Sequence, residues 1–559
     1  MSSPDSLQDP SPEEWMTRMT FAERVDFSAK SVLLRGMGIP LSLYAWHLGI
    51  LLTNYGVFVL VAFLVSKPVD QSVHDHRALL FSKFVVWQHV AEAIGCRQGP
   101  LNGHWGLPNN YRYRFQIGAC KHSLLPFLGK KRNVLDCVVH LTFFVSSAAF
   151  LLCQEYRYEL IGMVVACDVF ILLSDHTQFY GGTANAYGMM LISMCFPPES
   201  GRLAGTQLAL IMQWFFSGAG KIGPWFVHVN GPFVLQSRVL SCCRRWLFKI
   251  FVKSLDDLRP TMFGIVFAHT AAAVEYLSPL LLMTSVNPLI WAGLLLLTSM
   301  HVYILVMPAP GDVYSWNLCF ALSGVYLFYF GGAFGFDWQG FASMSYLLRA
   351  ALGAEFAFCW FAAFNTEKVG HLASHRYWAG NWMQTAFFVR KTETVCKKLD
   401  KVKTFSPNPL STVMAVPMSV TPQFCGLCAY MWLANLNMKC FLHLIEEALR
   451  LSGSKNLDDW QQVGLERYCM GEWRDYFWTE AIMGVMQEQI SFDEGECFCI
   501  RIGSFAMCSR TAMWRIYDMK KGILAEGNIH IDALAQMTSL PSQALSTSLD
   551  IDTKRSPLL

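Results

Sequence analysis

Ionisable residues that interrupt apolar runs are where chemistry is to be sought in this chain. His89 and Glu92, His140, Asp168, Lys221, His269 and Glu275, His301 and Glu355 all lie inside otherwise hydrophobic stretches. A charge at the centre of a bilayer costs roughly 3 kcal/mol or more, so each of these residues is a functional candidate. Lys221 closes the run QWFFSGAGKIGPW (213–225), directly after four small residues. A lysine can act as a base when a low-dielectric site depresses its pKa. It can also snorkel to the membrane surface and complement a helix C-terminus. Lys221, His269 and His301 are the candidate catalytic set, expected at similar depth in the cytosolic half of their spans. His89, Glu92, Asp175, His176, Glu275 and Asp312 are the candidate binding residues. His89 and Glu92 share one helix face, whereas His269 and Glu275, six apart, are only roughly aligned.

Other chemistries leave no trace. No H-E-x-x-H or H-x-x-H pair occurs, so no metal site is expected. The spacing CGLC at 425–428 lacks a βαβ context, and there is neither a phosphate-binding loop nor a G-x-S-x-G elbow. No motif identifies a cofactor. The 18 cysteines are scattered through apolar runs rather than arranged as a disulfide framework. A net charge of +3 gives no reason to expect nucleic acid as a partner. The expected partners are the lipid bilayer and a lipid, isoprenoid or quinone ligand.

The elements that must position these residues are membrane helices. The chain has 559 residues, 53% hydrophobic and 15% charged, with a mean hydropathy of +0.31. That is too apolar for an ordinary soluble protein. Windows of about 20 apolar residues suffice to cross the hydrocarbon core. Strong windows fall at 41–65, 134–153, 262–285, 288–307, 313–334 and 343–364, and weaker ones at 79–95, 159–174, 186–196 and 203–220. Basic clusters precede the first window and recur at 112–132, 238–259 and 376–403. With about ten spans all four clusters fall on one side, which the positive-inside rule makes cytosolic, together with both termini. The polar, acidic N-terminus is not expected to be a secretory signal.

The expected architecture is mainly α: a polytopic bundle of about ten spans with a small cytosolic α+β C-terminal domain. Residues 1–40 form a cytosolic segment with an amphipathic helix, and 41–365 the bundle. Residues 366–405 read as a basic amphipathic membrane-surface segment, 406–536 as the α+β domain and 537–559 as a disordered tail. Within the α+β domain, 424–450 reads as a helix, ECFCIRIGSF as a strand, and AMWRIYD-MKKG-ILAEGNI as a hairpin.

FSGAGKIGPWF, LDDLRPTMFGIVFAHTAAAVEYLSPLLL, HRYWAGNWMQTAFFVR and FDEGECFCIRI resemble, in the same order, segments of an uncharacterised, mainly bacterial transmembrane family, a domain of unknown function. The resemblance runs from about residue 13 to 532. It implies the polytopic architecture and brings no catalytic residue. Around Lys221, WFFSGAGKIGPWFVHVNG is similar to a span-ending pattern of the horizontally transferred transmembrane domain, the superfamily of the vitamin K-dependent carboxylase. That local likeness implies a base acting on a quinol at Lys221. The carboxylase works on the lumenal side and carries a large lumenal domain that has no counterpart here.

Three functions follow from the polar groups. The first is a membrane enzyme acting on a lipid, isoprenoid or quinone. The second is a transporter or channel with Glu92, Asp168, Glu275 and Glu355 along its path. The third is a structural or assembly protein whose polar groups only join helices. A closed apolar cavity receiving Lys221 and a histidine would favour the first.

Overall fold

The computed structural model describes residues 7–36, 41–65, 73–94, 114–175 (without 119, 120, 122 and 124), 184–307, 312–400 (without 331–333 and 377), 422–454, 459–463, 483–538 (without 485, 486 and 489) and 549–550. His176, residues 406–421 at the start of the expected α+β domain and nearly all of the tail expected after 537 lie outside them. So do the side chains of Glu92 and Asp312.

The chain begins with α1 (Phe21–Arg35), started by a capping box in which Thr20 and Glu23 satisfy each other's backbone N–H groups. It continues through α2 (Leu41–Val65), α3 (Val73–Ala93), α4 (Val134–Leu152), α5 (Tyr158–Ser174), α6 (Ala184–Met194) and α7 (Glu199–Ala219). Then follow α8 (Val227–Gln236), α9 (Arg244–Phe251), α10 (Met262–Leu282), α11 (Asn287–Val306), α12 (Asp312–Val325), α13 (Trp338–Ser343) and α14 (Tyr346–Phe364). Among the described residues five helices are long and apolar enough to cross a membrane: α2 from Tyr44, α4, α10, α11 and α14. Their outward faces carry large apolar side chains such as Trp46, Leu52, Phe63, Leu295 and Tyr346, all exposed. In water such a surface would aggregate; against lipid it is the expected covering.

The expected count of about ten spans is therefore corrected to five. The mainly helical class holds. The weaker windows, and the strong one at 313–334, are not among the five. Sixteen of the 21 residues of α7 are buried, so protein rather than lipid surrounds it. The eleven residues of α6 reach only about 16 Å at 1.5 Å per residue, a length that suits a core helix rather than a span. α12 passes at Val325 directly into a π-helical stretch, Tyr326–Phe330, and together they bury Trp316, Cys319, Phe320 and Phe328 against the rest of the protein. α3 buries Leu79, Phe81, Lys83, Val85 and Val86, so protein covers much of its surface. Hydropathy alone does not separate helices that face lipid from helices wrapped by other helices. The even count behind the expectation that both termini are cytosolic falls with the ten spans.

Small residues of α7 let its neighbours approach. A Cβ on Gly205 would stand 3.0 Å from Ser193 Oγ of α6, and one on Gly218 only 2.5 Å from the Tyr276 backbone nitrogen of α10. The run of four small residues before Lys221 thus lets helices pack closely at Gly218.

Beyond α15 (Thr366–Ala373) the chain forms an antiparallel sheet. Its strands are β1 (Gln384–Arg390), β2 (Trp460–Val463), β3 (Cys497–Ile502), β4 (Thr511–Asp518), β5 (Gly522–His530) and β6 (Leu549–Asp550), in the order β2-β1-β3-β4-β5-β6. The expected hairpin forms: Asp518 Oδ1 accepts from the Lys520 and Lys521 N–H groups, and Gly522 takes φ +89° to start β5. The surface segment expected over 366–405 is not one amphipathic helix. The described residues of HRYWAGNW form a largely buried turn, QTAFFVR is strand β1 between β2 and β3, and among the described residues after it Glu393–Asp400 is helical. Trp382, Phe387 and Phe388 are buried in the sheet core rather than turned to a membrane. The helix expected over 424–450 is two, Pro422–Ala434 and Phe441–Leu451, parted at Asn435. The buried Asn435 side-chain oxygen accepts the Trp382 N–H at 3.1 Å.

Lys439 lies in that break, fully buried, with Nζ 5.1 Å from the Trp432 ring centroid. Burial lowers its pKa from 10.5 to about 7; Arg259 adds to the effect and Asp257 opposes it. The unfolded chain therefore binds more protons than the folded one between pH 7 and 10.5. The resulting destabilisation is complete below pH 7 and is relieved as pH rises towards 10.5. Thermal unfolding in detergent should show the melting temperature climbing from pH 7 to 9.5. Lys439→Met should flatten that climb and raise stability at pH 7.

Candidate functional site

The run that ends at Lys221 folds as a helix followed by a tight reversal. α7 stops at Ala219, and the Lys221 N–H returns to the Gly218 carbonyl at 3.0 Å. Gly223 sits at φ +155° beneath the Trp225 ring, where a Cβ would come within 2.4 Å of the indole. The Gly220 carbonyl accepts from Trp225 Nε1 (3.1 Å) and from the fully buried Arg376 (3.3 Å). Arg376 also holds the Ala363 carbonyl at the end of α14, tying the turn to the C-terminal domain. Trp225 stacks on Phe505 with ring planes 4° apart, a second tie between bundle and sheet. The chain then enters α8, all ten of whose residues are buried.

This reversal opens a cavity of about 100 Å³ between α7, α8, α10, α11 and α12. That is several times the roughly 10–15 Å³ a single water needs by such a measure. Phe226, Phe233, Trp316, Phe320 and Trp378 supply apolar wall, and Lys221, Glu275 and His301 supply the ionisable groups. Lys221 Nζ donates to Glu275 Oε2, and both side chains are at least nine-tenths buried. Glu275 stands thirteen residues beyond Met262, about 20 Å along α10, past the middle of the helix. Lys221 is thus set against the interior of this helix rather than at one of its ends. The reason is the Gly218–Tyr276 contact, which fixes how deep α7 reaches along α10.

His301 is held from both sides. Trp214 Nε1 donates to its Nε2 at 3.1 Å, which leaves the ring proton on Nδ1, donated to Asn317 Oδ1 at 2.7 Å. Tyr303 donates to Asn230 Oδ1 at 3.1 Å on the same wall. The arrangement is a paired ammonium and carboxylate facing an oriented neutral imidazole across an aromatic slot. Such a set can bind an apolar molecule with a small polar head and exchange a proton with it.

Of the expected catalytic set, Lys221 and His301 meet at the cavity and His269 does not. His269 is exposed on the outer face of α10 and is not part of the lining. Six residues at about 100° each leave it roughly 240° around the helix from Glu275, so the two cannot serve one site. Glu275, expected as a binding residue, is the actual partner of Lys221.

The remaining binding candidates belong elsewhere. His89 Nε2 lies 2.8 Å from the Asp168 carboxylate, joining α3 to α5. Asp175 pairs with Arg132 at 2.6 Å, beside a buried cluster in which Lys121 donates to Asp136 and Ser174. That cluster clamps the α4–α5 hairpin. His140 is buried one turn beyond Asp136, and Glu355 lies half-buried on α14 near Cys359 Sγ. Among the described residues no three His, Cys, Asp or Glu side chains gather as metal ligands.

A search restricted to ionisable residues missed Trp214, Asn230, Tyr303, Asn317 and Trp378. The signal that could have found two of them is an amide inside an apolar run, Asn230 in FVHVNGPFVL and Asn317 in YSWNLCFAL.

Comparison with known proteins matches residues 4–547 to the model of a family described as a transmembrane protein of unknown function, DUF3556. No curated protein and no solved structure matches the chain.

Proposed function

Since the chain belongs to this transmembrane family of unknown function, we propose from its own geometry that it is a membrane-embedded enzyme acting on a lipid, isoprenoid or quinone. The observation that carries the proposal is the apolar cavity into which Lys221 is brought from the turn after α7, Glu275 from α10 and His301 from α11. The aromatic walls receive the apolar body of the substrate. The Lys221–Glu275 pair supplies the acid and the base, and the low dielectric around it strengthens its hold on a developing charge. His301, fixed by Trp214 and Asn317, orients the reacting head or relays its proton. Lys221, Glu275 and His301 are the catalytic candidates, with Tyr303 and Asn230 as binding groups.

The test compares lipid and quinone profiles of cells lacking the protein with those of cells given back wild type or Lys221→Met/Glu275→Leu. The double variant removes both charges together, so it avoids an unpaired buried ion. Wild type should restore the altered pool, and the double variant, present at normal level in the membrane, should not. Full restoration by the double variant would reduce the pair to a packing element and end the enzymatic proposal.

A further inference from the structure

A surface turn between α8 and α9 carries features that the cavity does not use. Cys242 and Cys243 are adjacent, free and exposed, with sulfurs 3.6 Å apart. Among the described cysteines Cys508 alone shares their exposure. They occupy a 3-10 turn, Ser241–Cys243, that leads straight into α9. The α9 sequence, RRWLFKIF, buries Leu247, Phe248 and Phe251 and exposes Arg245, Trp246 and Lys249. Phe251 meets Phe263 and Phe267 of α10 edge-on at 5.5 and 5.4 Å, which sets α9 against the first turns of a membrane span.

Around the thiols the surface is both apolar and basic. Val239 is 68% exposed and Trp246 64%, next to Arg238 and Arg245. On the span itself Met262, Phe263 and Val266 are exposed as well. A short basic helix with an outward tryptophan at the end of a span belongs in the headgroup layer. The six basic residues of 238–259 gather at this end of α10, where anionic headgroups attract them. Arg244 fixes the turn rather than joining the surface, donating from Nε to the Leu235 carbonyl at 2.6 Å. The thiols are thereby held beside the bilayer surface, where acyl donors partition.

We infer that Cys242 and Cys243 form an S-acylation site that takes long-chain acyl groups from acyl-CoA thioesters. In each transfer the cysteine sulfur bonds to the acyl carbonyl carbon and the carbon–sulfur bond to coenzyme A breaks. The thiol proton goes to the departing coenzyme A thiolate, and no oxidant takes part. One chain gives only reversible membrane attachment, whereas two give a stable one. Acylation of both residues would pin the α8–α9 turn to the lipid surface. α8 contributes Asn230 and Phe233 to the cavity, so the anchor would steady one of its walls.

Thioester exchange on the full-length protein from cells tests the site. Free thiols are blocked with N-ethylmaleimide, thioesters are cleaved with hydroxylamine, and the released thiols are tagged with a maleimide polyethylene glycol. Wild type should show two hydroxylamine-dependent mass shifts, Cys242→Ser and Cys243→Ser one each, and the double serine variant none. Cys508→Ser should match wild type. Both target side chains are exposed, so serine leaves the fold intact. Absence of any hydroxylamine-dependent shift in wild type, or its undiminished persistence in the double variant, overturns the site. A shift released by reductant instead of hydroxylamine also overturns it, because a disulfide would then account for the pair.

Discussion

Lys221→Ala should destabilise the protein by about 3–5 kcal/mol, the usual cost of breaking a buried ion pair from one side. The loss is not chiefly the missing attraction. It comes from Glu275, left buried with a charge it no longer shares, or forced to take up a proton. Glu275→Ala should cost a similar amount for the mirror reason. The combination Lys221→Met/Glu275→Leu should recover most of the stability, since apolar side chains of similar volume often replace a buried pair at little cost. Unfolding midpoints of all four proteins in one detergent, arranged as a double-mutant cycle, measure the coupling. If the two single variants simply add, the pair is not coupled and the geometry drawn here is wrong. The same variants separate folding from chemistry: the double variant should be well folded and inactive.

Closing the gap between α7 and α10 should be nearly as damaging. In Gly218→Ala the new methyl would lie 2.5 Å from the Tyr276 nitrogen and 2.9 Å from the Glu275 carbonyl carbon. Both are backbone atoms of a helix, so neither can swing aside and the two helices must part. Overpacking of this kind costs about 1–3 kcal/mol. Its functional effect should exceed its effect on stability, because the Lys221–Glu275 bond is made one turn away at the same crossing. Gly353→Ala on α14 is the control. A Cβ there meets nothing within 4 Å, and alanine should be neutral or stabilising by up to about 1 kcal/mol. Equal damage from both substitutions would show that the crossing is not specially tight.

The membrane class and the five candidate spans were legible because a helix facing lipid must be apolar around its whole circumference over about 20 residues. α2, α10 and α11 each present such a run. The β4–β5 hairpin was legible as well, since Asp-Met-Lys-Lys-Gly between two alternating segments has the chemistry of a turn. α7 was misread for a related reason: helices buried in protein and helices buried in lipid share the same composition. HRYWAGNW was misread because aromatic residues suit a membrane surface and a sheet core equally.

What the sequence determined by itself was a short set of costly groups, Lys221, Glu275 and His301 among them, that had to be satisfied somewhere inside the membrane. Which of them meet was decided by the tertiary structure alone. Lys221 and Glu275 are 54 residues apart, and their bond exists because Gly218 lets two helices cross closely enough at one depth. His269 is closer to Lys221 in sequence but is turned outward by the 100° step of its helix. Helix rotation and crossing depth are properties of packing, and no local stretch of sequence contains them.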